Sequence, residues 1–186
     1  MNTLRLLESI RTTGTPLKKQ LLMVALITHL LAAKGKPAPV IIGGCALAYY
    51  SREVYFTADI DLAYADCDVL DEVLQELGFR KDGRYWVQES LQLAIEVPTS
   101  NLAGETAVCE TVELEKGLTC LVVGIEDLII DRLNAAKYWK SATDREMTVL
   151  LIRKYASELD WAYLRQKAAL PENDTSLEIE DLKKGC

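Results

Sequence analysis

The chain has 186 residues, 49% of them apolar and 26% charged, which suits one domain with a substantial core rather than several. Lys and Arg total 21 against 28 Asp and Glu, and the net charge of −7 excludes a broad basic surface for nucleic acid. Cys45, Cys67, Cys109, Cys120 and Cys186 are odd in number and show no C-x-x-C spacing, so reduced thiols are expected instead of a zinc site or a disulfide framework. In chain order, helical patterns cover Thr3–Ile10 and Pro16–Ala33, the second opened by a first-turn proline after Thr15. Its apolar stretch from Leu21 to Ala33 is interrupted by Thr28 and His29 and is too short to span a bilayer. No secretory leader stands out at the N-terminus, so a cytoplasmic protein without membrane contact is expected. A loop at 35–39 leads to a strand at 40–42, a helix at 45–51, a strand at 58–64 and a helix at 67–77 ended by Gly78. Strands at 79–80, 85–88 and 92–97 surround an Asp82-Gly83 turn, and 107–114 pairs with 118–123 around Lys116-Gly117. From Glu126 the pattern is helical to about Ala169, with breaks near Ser141 and at 158–160, and the polar, acidic residues 171–186 read as a loose tail.

Residues 40–62, VIIGGCALAYYSREVYFTADIDL, carry most of the functional signal. Val40, Ile41 and Ile42 form a β-branched run suited to a buried strand. Gly43 and Gly44 follow; without a Cβ each can take positive φ and admit a ligand to the backbone, and the free N–H groups of the next helix can receive an anion. A tight strand-to-helix turn would need the same glycines for packing alone. Asp59 and Asp61 then lie on one face of a strand, about 7 Å apart at Cα, with Ile60 and Leu62 on the other. Two adjacent carboxylates repel, and a divalent ion removes that penalty. Oxygen ligands of this kind suit magnesium (Mg2+) with phosphate oxygens and waters.

This arrangement resembles the core motif of the DNA polymerase β-type nucleotidyltransferase superfamily: an apolar residue, Gly, then Gly or Ser, and about a dozen residues later a D-x-D on a strand. The resemblance implies an α/β nucleotidyltransferase fold, a short mixed sheet flanked by helices with a C-terminal helical segment. It also implies a third acid between apolar neighbours on a later strand. Glu96, in Leu93-Ala94-Ile95-Glu96-Val97 with Pro98 ending the strand, fits that place, and Glu89 and Asp82 are the alternatives. Residues 124–136 with Asp144 are similar to the helical part of the nucleotidyltransferase toxins of bacterial abortive-infection systems, which carry a basic residue and, twelve positions on, an acid. Those positions fall on Arg132 and Asp144, although the relatives use Lys at the first, and Lys137 could substitute or assist. The implied division is a core at 1–123 that includes the N-terminal helices, a helical segment at 124–170 closing the cleft, and the tail.

What the resemblance implies is magnesium-dependent transfer of a nucleoside monophosphate from an NTP to a hydroxyl acceptor that could be RNA, a protein or a small molecule. Asp59 and Asp61 would hold the metal, and Glu96 would complete a two-metal site or act as general base. Gly43 and Gly44 would cradle the triphosphate, and Arg132 or Lys137, with Asp144, would serve nucleotide binding. A protein antitoxin is a possible partner, and a non-catalytic nucleotide- or partner-binding protein on the same fold is the alternative. The rival chemistries lack residues. His29 is the only histidine and lies in an apolar helix, which leaves Cys45 or a serine without a base. Gly43-Gly44 lacks the Lys-Ser or Lys-Thr of a P-loop. Tyr49, Tyr50 and Tyr55 could stack on a base but read first as core, and the cations Arg132, Lys137, Lys140, Arg145, Arg153 and Lys154 read as a solvated helix face.

Overall fold

A computed structural model describes residues 3–100 and 108–184. Ala107, the expected start of a strand, and Cys186 lie outside the described residues. The elements are α1 (Thr3–Thr12), α2 (Pro16–Ala33), β1 (Val40–Ile42), α3 (Gly43–Ser51), β2 (Asp59–Ala63), α4 (Cys67–Glu76), β3 (Arg80–Asp82), β4 (Tyr85–Gln88), β5 (Leu93–Thr99), β6 (Cys109–Glu113), β7 (Thr119–Val123), α5 (Ile125–Tyr138), α6 (Ala142–Tyr155), α7 (Trp161–Ala168) and α8 (Ser176–Lys184). The strands form one mixed sheet in the order β3-β4-β5-β2-β1-β7-β6. β2 lies at its centre, antiparallel to β1 and parallel to β5, while β1 runs parallel to β7.

The apolar alternation decides which face the helices cover. Ile41, Ile60, Leu62, Ile95 and Val122 are fully buried, and α2 packs on β7, α3 on β1 and β2, and α4 on α2. By length and composition α2 could cross a membrane. Here it is the central core helix, with every residue from Leu21 to Ile27 buried. α5 and α6 pack on α3, and α7 packs on α5, so the C-terminal helices extend the core from the α3 side.

Several local expectations shift. α3 starts at Gly43, two residues earlier than expected, because Ile42 already serves as its N-cap. The first hairpin turns at Gly83-Arg84, with Asp82 paired to Tyr85 inside the ladder. Gly83 has φ +59 while Arg84 does not have positive φ, the pattern of a type II′ turn. β5 runs past Pro98 to Thr99. This is tolerated because β4 pairs only as far as Glu96 and the register with β2 shifts beyond Asp61, so the missing N–H falls where the regular ladder has lapsed.

The C-terminal segment departs most from expectation. Residues 171–186, read as a loose tail, contain α8, whose Ile179 is fully buried against the core. The acidic composition hid this helix, because its charges have partners that a local reading cannot supply. Lys137 pairs with Asp174 and, at 3.4 Å, with Glu178, and Arg165 pairs with Glu180 at 2.6 Å. Ile179→Ala is expected to lower unfolding stability by about 2–5 kcal/mol in urea denaturation, the usual range for emptying such a site. A loose tail would give no change.

Candidate active site

The parallel register of β2 and β5 sets Asp61 opposite Glu96 and Asp59 opposite Ala94. One carboxylate oxygen from each of Asp59, Asp61 and Glu96 lies within 4.8 Å of the others, all three residues being partly buried. Ile60 and Leu62 anchor the strand from the opposite face, which fixes the direction of the aspartates. Each acid also accepts or pairs locally. Thr57 Oγ1 donates to Asp59 Oδ1 at 2.5 Å, the Gly44 N–H donates to Asp61 Oδ2 at 3.1 Å, and Arg84 Nε lies 3.4 Å from Glu96 Oε1. Burial pushes the Asp61 carboxyl above the usual carboxylate range. The Gly44 amide and Arg132 oppose that shift, while Asp59 and Glu96 add to it. Like charges held this close favour a bound cation.

The glycines have a steric reason beyond the expected phosphate cradle. Gly43 has φ +57, and a Cβ there would overlap Asp61 Oδ2 and lie 2.9 Å from its Cγ. At Gly44 a Cβ would meet Thr57 Oγ1 at 3.0 Å and Thr57 Cβ at 3.1 Å. The backbone at the start of α3 therefore fits directly under the carboxylate it supports, and the Gly44 amide is engaged by Asp61.

Arg132 and Asp144 meet across α5 and α6. Arg132 Nη1 donates to Asp144 Oδ1 at 2.9 Å, and its Nε donates to Asp131 Oδ2 at 3.1 Å. Burial acts to lower the guanidinium pKa, but Asp131 and Asp144 outweigh it and the pKa is raised, so the charge is permanent. That charge reaches Asp61 and limits the rise of its pKa. Lys137 is engaged elsewhere, donating to the Asp174 carbonyl and pairing with Asp174 and Glu178 at the α8 junction. On the expectation that Arg132 meets nucleotide phosphates, Arg132→Ala should weaken NTP binding about tenfold or more and NMP binding less. Lys137→Ala should leave NTP affinity unchanged in the same titration and lower the melting temperature. Reversed results would exchange the two roles.

The alternatives to Glu96 stand apart. Glu89 is exposed and pairs with exposed Arg80, and Asp82 is an exposed residue of β3. Cys45 is fully buried and its thiol pKa is driven far upward by burial, which disfavours a nucleophilic thiolate, while His29 is an exposed residue of α2. The Tyr50 hydroxyl donates to the Val123 carbonyl and Tyr49 packs edge-on against its ring, which assigns both to the fold.

Three contributors escape a reading by motif. Thr57, two residues before Asp59, falls on the same face by alternation and could have been found that way. Gln20 is the buried polar residue of an apolar stretch and bonds the carbonyls of Thr57 and Asp59. Arg84 gives no sequence signal, because only the hairpin register brings it to Glu96.

No protein-family model and no curated protein matches the chain. Among solved structures it is similar to an antigenic nucleotidyltransferase-like protein from Paracoccidioides brasiliensis, at 14% identity over 93% of both chains with a TM-score of 0.55. It is also similar to the antibiotic-resistance factor ANT(2'')-Ia in solution, at 17% identity over 97% of this chain and 98% of the other, with a TM-score of 0.52. The chain thus has the nucleotidyltransferase fold, a mixed sheet flanked by helices.

Proposed function

We propose that the protein is a magnesium-dependent nucleotidyltransferase that moves a nucleoside monophosphate from an NTP to a hydroxyl acceptor. The observation that carries this reading is the convergence of Asp59, Asp61 and Glu96 within 4.8 Å, at the start of α3. Three carboxylate oxygens are a hard donor set that fits Mg2+, with room left for waters and phosphate oxygens. Bound there, Mg2+ would supply charge neutralisation and a lowered pKa for the acceptor hydroxyl. In the transfer the acceptor oxygen bonds to the α-phosphorus, the bond to the pyrophosphate oxygen breaks, and pyrophosphate leaves with that electron pair. The hydroxyl proton passes to Glu96 or to solvent. Arg132, kept charged and oriented by Asp131 and Asp144, offsets charge on the phosphates.

The acceptor class, whether RNA, protein or small molecule, is open to experiment. Incubation with each α-labelled NTP, Mg2+ and cell extract is expected to yield a labelled product and pyrophosphate with the natural chain and neither with Asp61→Asn. Metal-dependent NTP binding without pyrophosphate release would favour a binding protein on the same fold. A toxin role with a protein antitoxin is the finer form of the proposal, which rests on the resemblance of residues 124–136 with Asp144 to the helical part of abortive-infection toxins. Growth arrest on expression should then require Asp59 and Asp61. A cytoplasmic location is part of the proposal, supported by the odd number and the spacing of the cysteines, which suit reduced thiols.

A further inference from the structure

We propose that Gln20 is a positioning residue for the acid cluster, an inference that rests on reading the cluster as a divalent-cation site. Gln20 opens the apolar run of α2 and is only 3% exposed. A buried amide is costly unless its donors and acceptor are used. Here all are used, and all on elements that build the site. Nε2 donates to the carbonyl oxygens of Thr57 at 3.1 Å and Asp59 at 3.4 Å. Oε1 accepts from the Cys45 thiol, with Sγ 3.7 Å away.

The sheet explains why a side chain is needed there. β1 pairs with β2 only as far as Ile42 opposite Asp61, because the chain turns into α3 at Gly43. Residues 57–60 therefore lack a β1 partner, and the amide of Gln20 takes the place of the missing strand. On its other side Gln20 holds Cys45, the residue after Gly44, whose N–H supports Asp61. One amide thus fixes both the backbone that carries Asp59, with its Thr57 partner, and the helix start that orients Asp61. Losing it frees the strand start that carries Asp59 and the helix start that supports Asp61 to move relative to each other, while the apolar packing of α2 is kept by a side chain of similar size.

The test uses Mn2+ as the probe, with its affinity for the full chain measured by calorimetry and melting temperature measured in parallel. Gln20→Leu is expected to weaken Mn2+ binding about tenfold or more, the usual effect of removing a group that orients metal ligands, while unfolding stays cooperative at a melting temperature several degrees lower, since the Thr57 and Asp59 carbonyls lose their partner. Gln20→Met, which is unbranched and adaptable, should behave the same and serves if the leucine variant does not fold. Natural affinity in either folded variant overturns the role, as does the failure of both to fold, which would make Gln20 a purely structural residue. Asp61→Asn is the separating control. If Mn2+ binding by the natural chain is absent or survives that substitution, the cation-site reading itself falls and the role of Gln20 falls with it. If binding depends on Asp61 but not on Gln20, only the positioning role is lost.

Discussion

Asp61→Asn is expected, on the proposed function, to reduce nucleotidyl transfer by about a thousandfold or more, because the lost ligand charge would remove several kcal/mol of electrostatic stabilisation at the reacting phosphate. The fold should survive, since asparagine keeps an oxygen for the Gly44 N–H and the strand is anchored by Ile60 and Leu62. In metal-free protein at neutral pH the variant should melt higher than the natural chain. The folded-state pKa of Asp61 is raised above its ordinary value, chiefly by burial. Above that raised pKa both folded and unfolded chains carry the charge, and only the folded chain suffers for it. As pH falls through the raised pKa toward the ordinary value, the folded state takes up the proton first and the penalty disappears. The stability gain of Asp61→Asn should therefore shrink as pH drops into the carboxylate range, and saturating Mg2+ should narrow it at neutral pH by stabilising the natural chain alone. A variant that melts lower at neutral pH without metal would mean that the aspartate serves the fold.

Of the two glycines at the start of α3, Gly43 should be the more sensitive to an added methyl group, as in Gly43→Ala. The position has φ +57, where an alanine costs about 1–2 kcal/mol in backbone strain. Its Cβ would also overlap Asp61 Oδ2, with Cγ only 2.9 Å away, so the carboxylate must move. Activity is expected to fall about a hundredfold or more, in line with the effect of displacing a catalytic group by an ångström. Gly44→Ala lacks the positive φ and meets Thr57 at 3.0–3.1 Å, a contact that a shift of a few tenths of an ångström relieves, so its loss should be smaller. Measuring kcat/KM and Mn2+ affinity for both variants decides the point. Equal losses would favour a requirement shared by both glycines, such as the proposed phosphate contact, over one set by Asp61 alone.

Much of this site is legible in a single sequence because its elements are short-range. A β-branched triplet before Gly-Gly determines a strand running into a helix, and D-I-D-L in a strand places two acids together and two apolar residues behind them, whatever surrounds them. Helix boundaries marked by Pro16, Gly78 and Ser141 are local for the same reason: φ restriction, positive φ and a side-chain cap act within a few residues. Glu96 differs: its apolar neighbours favour it over Glu89 and Asp82, but a single acid between apolar residues is a common pattern, and only the parallel pairing of β2 with β5 sets Glu96 opposite Asp61. The same holds for Arg84 at Glu96, for Gln20 in place of a missing strand, and for Lys137, whose charge goes to α8. The acidic C-terminal helix was illegible because its stability comes from Ile179 in a distant core and from Lys137 and Arg165 on other helices. Sequence alone determined which residue types stand on which face, since that follows from backbone periodicity. Tertiary structure decided which partners those residues meet, since strand register and helix docking are set by burial summed over the whole core, to which no local window has access.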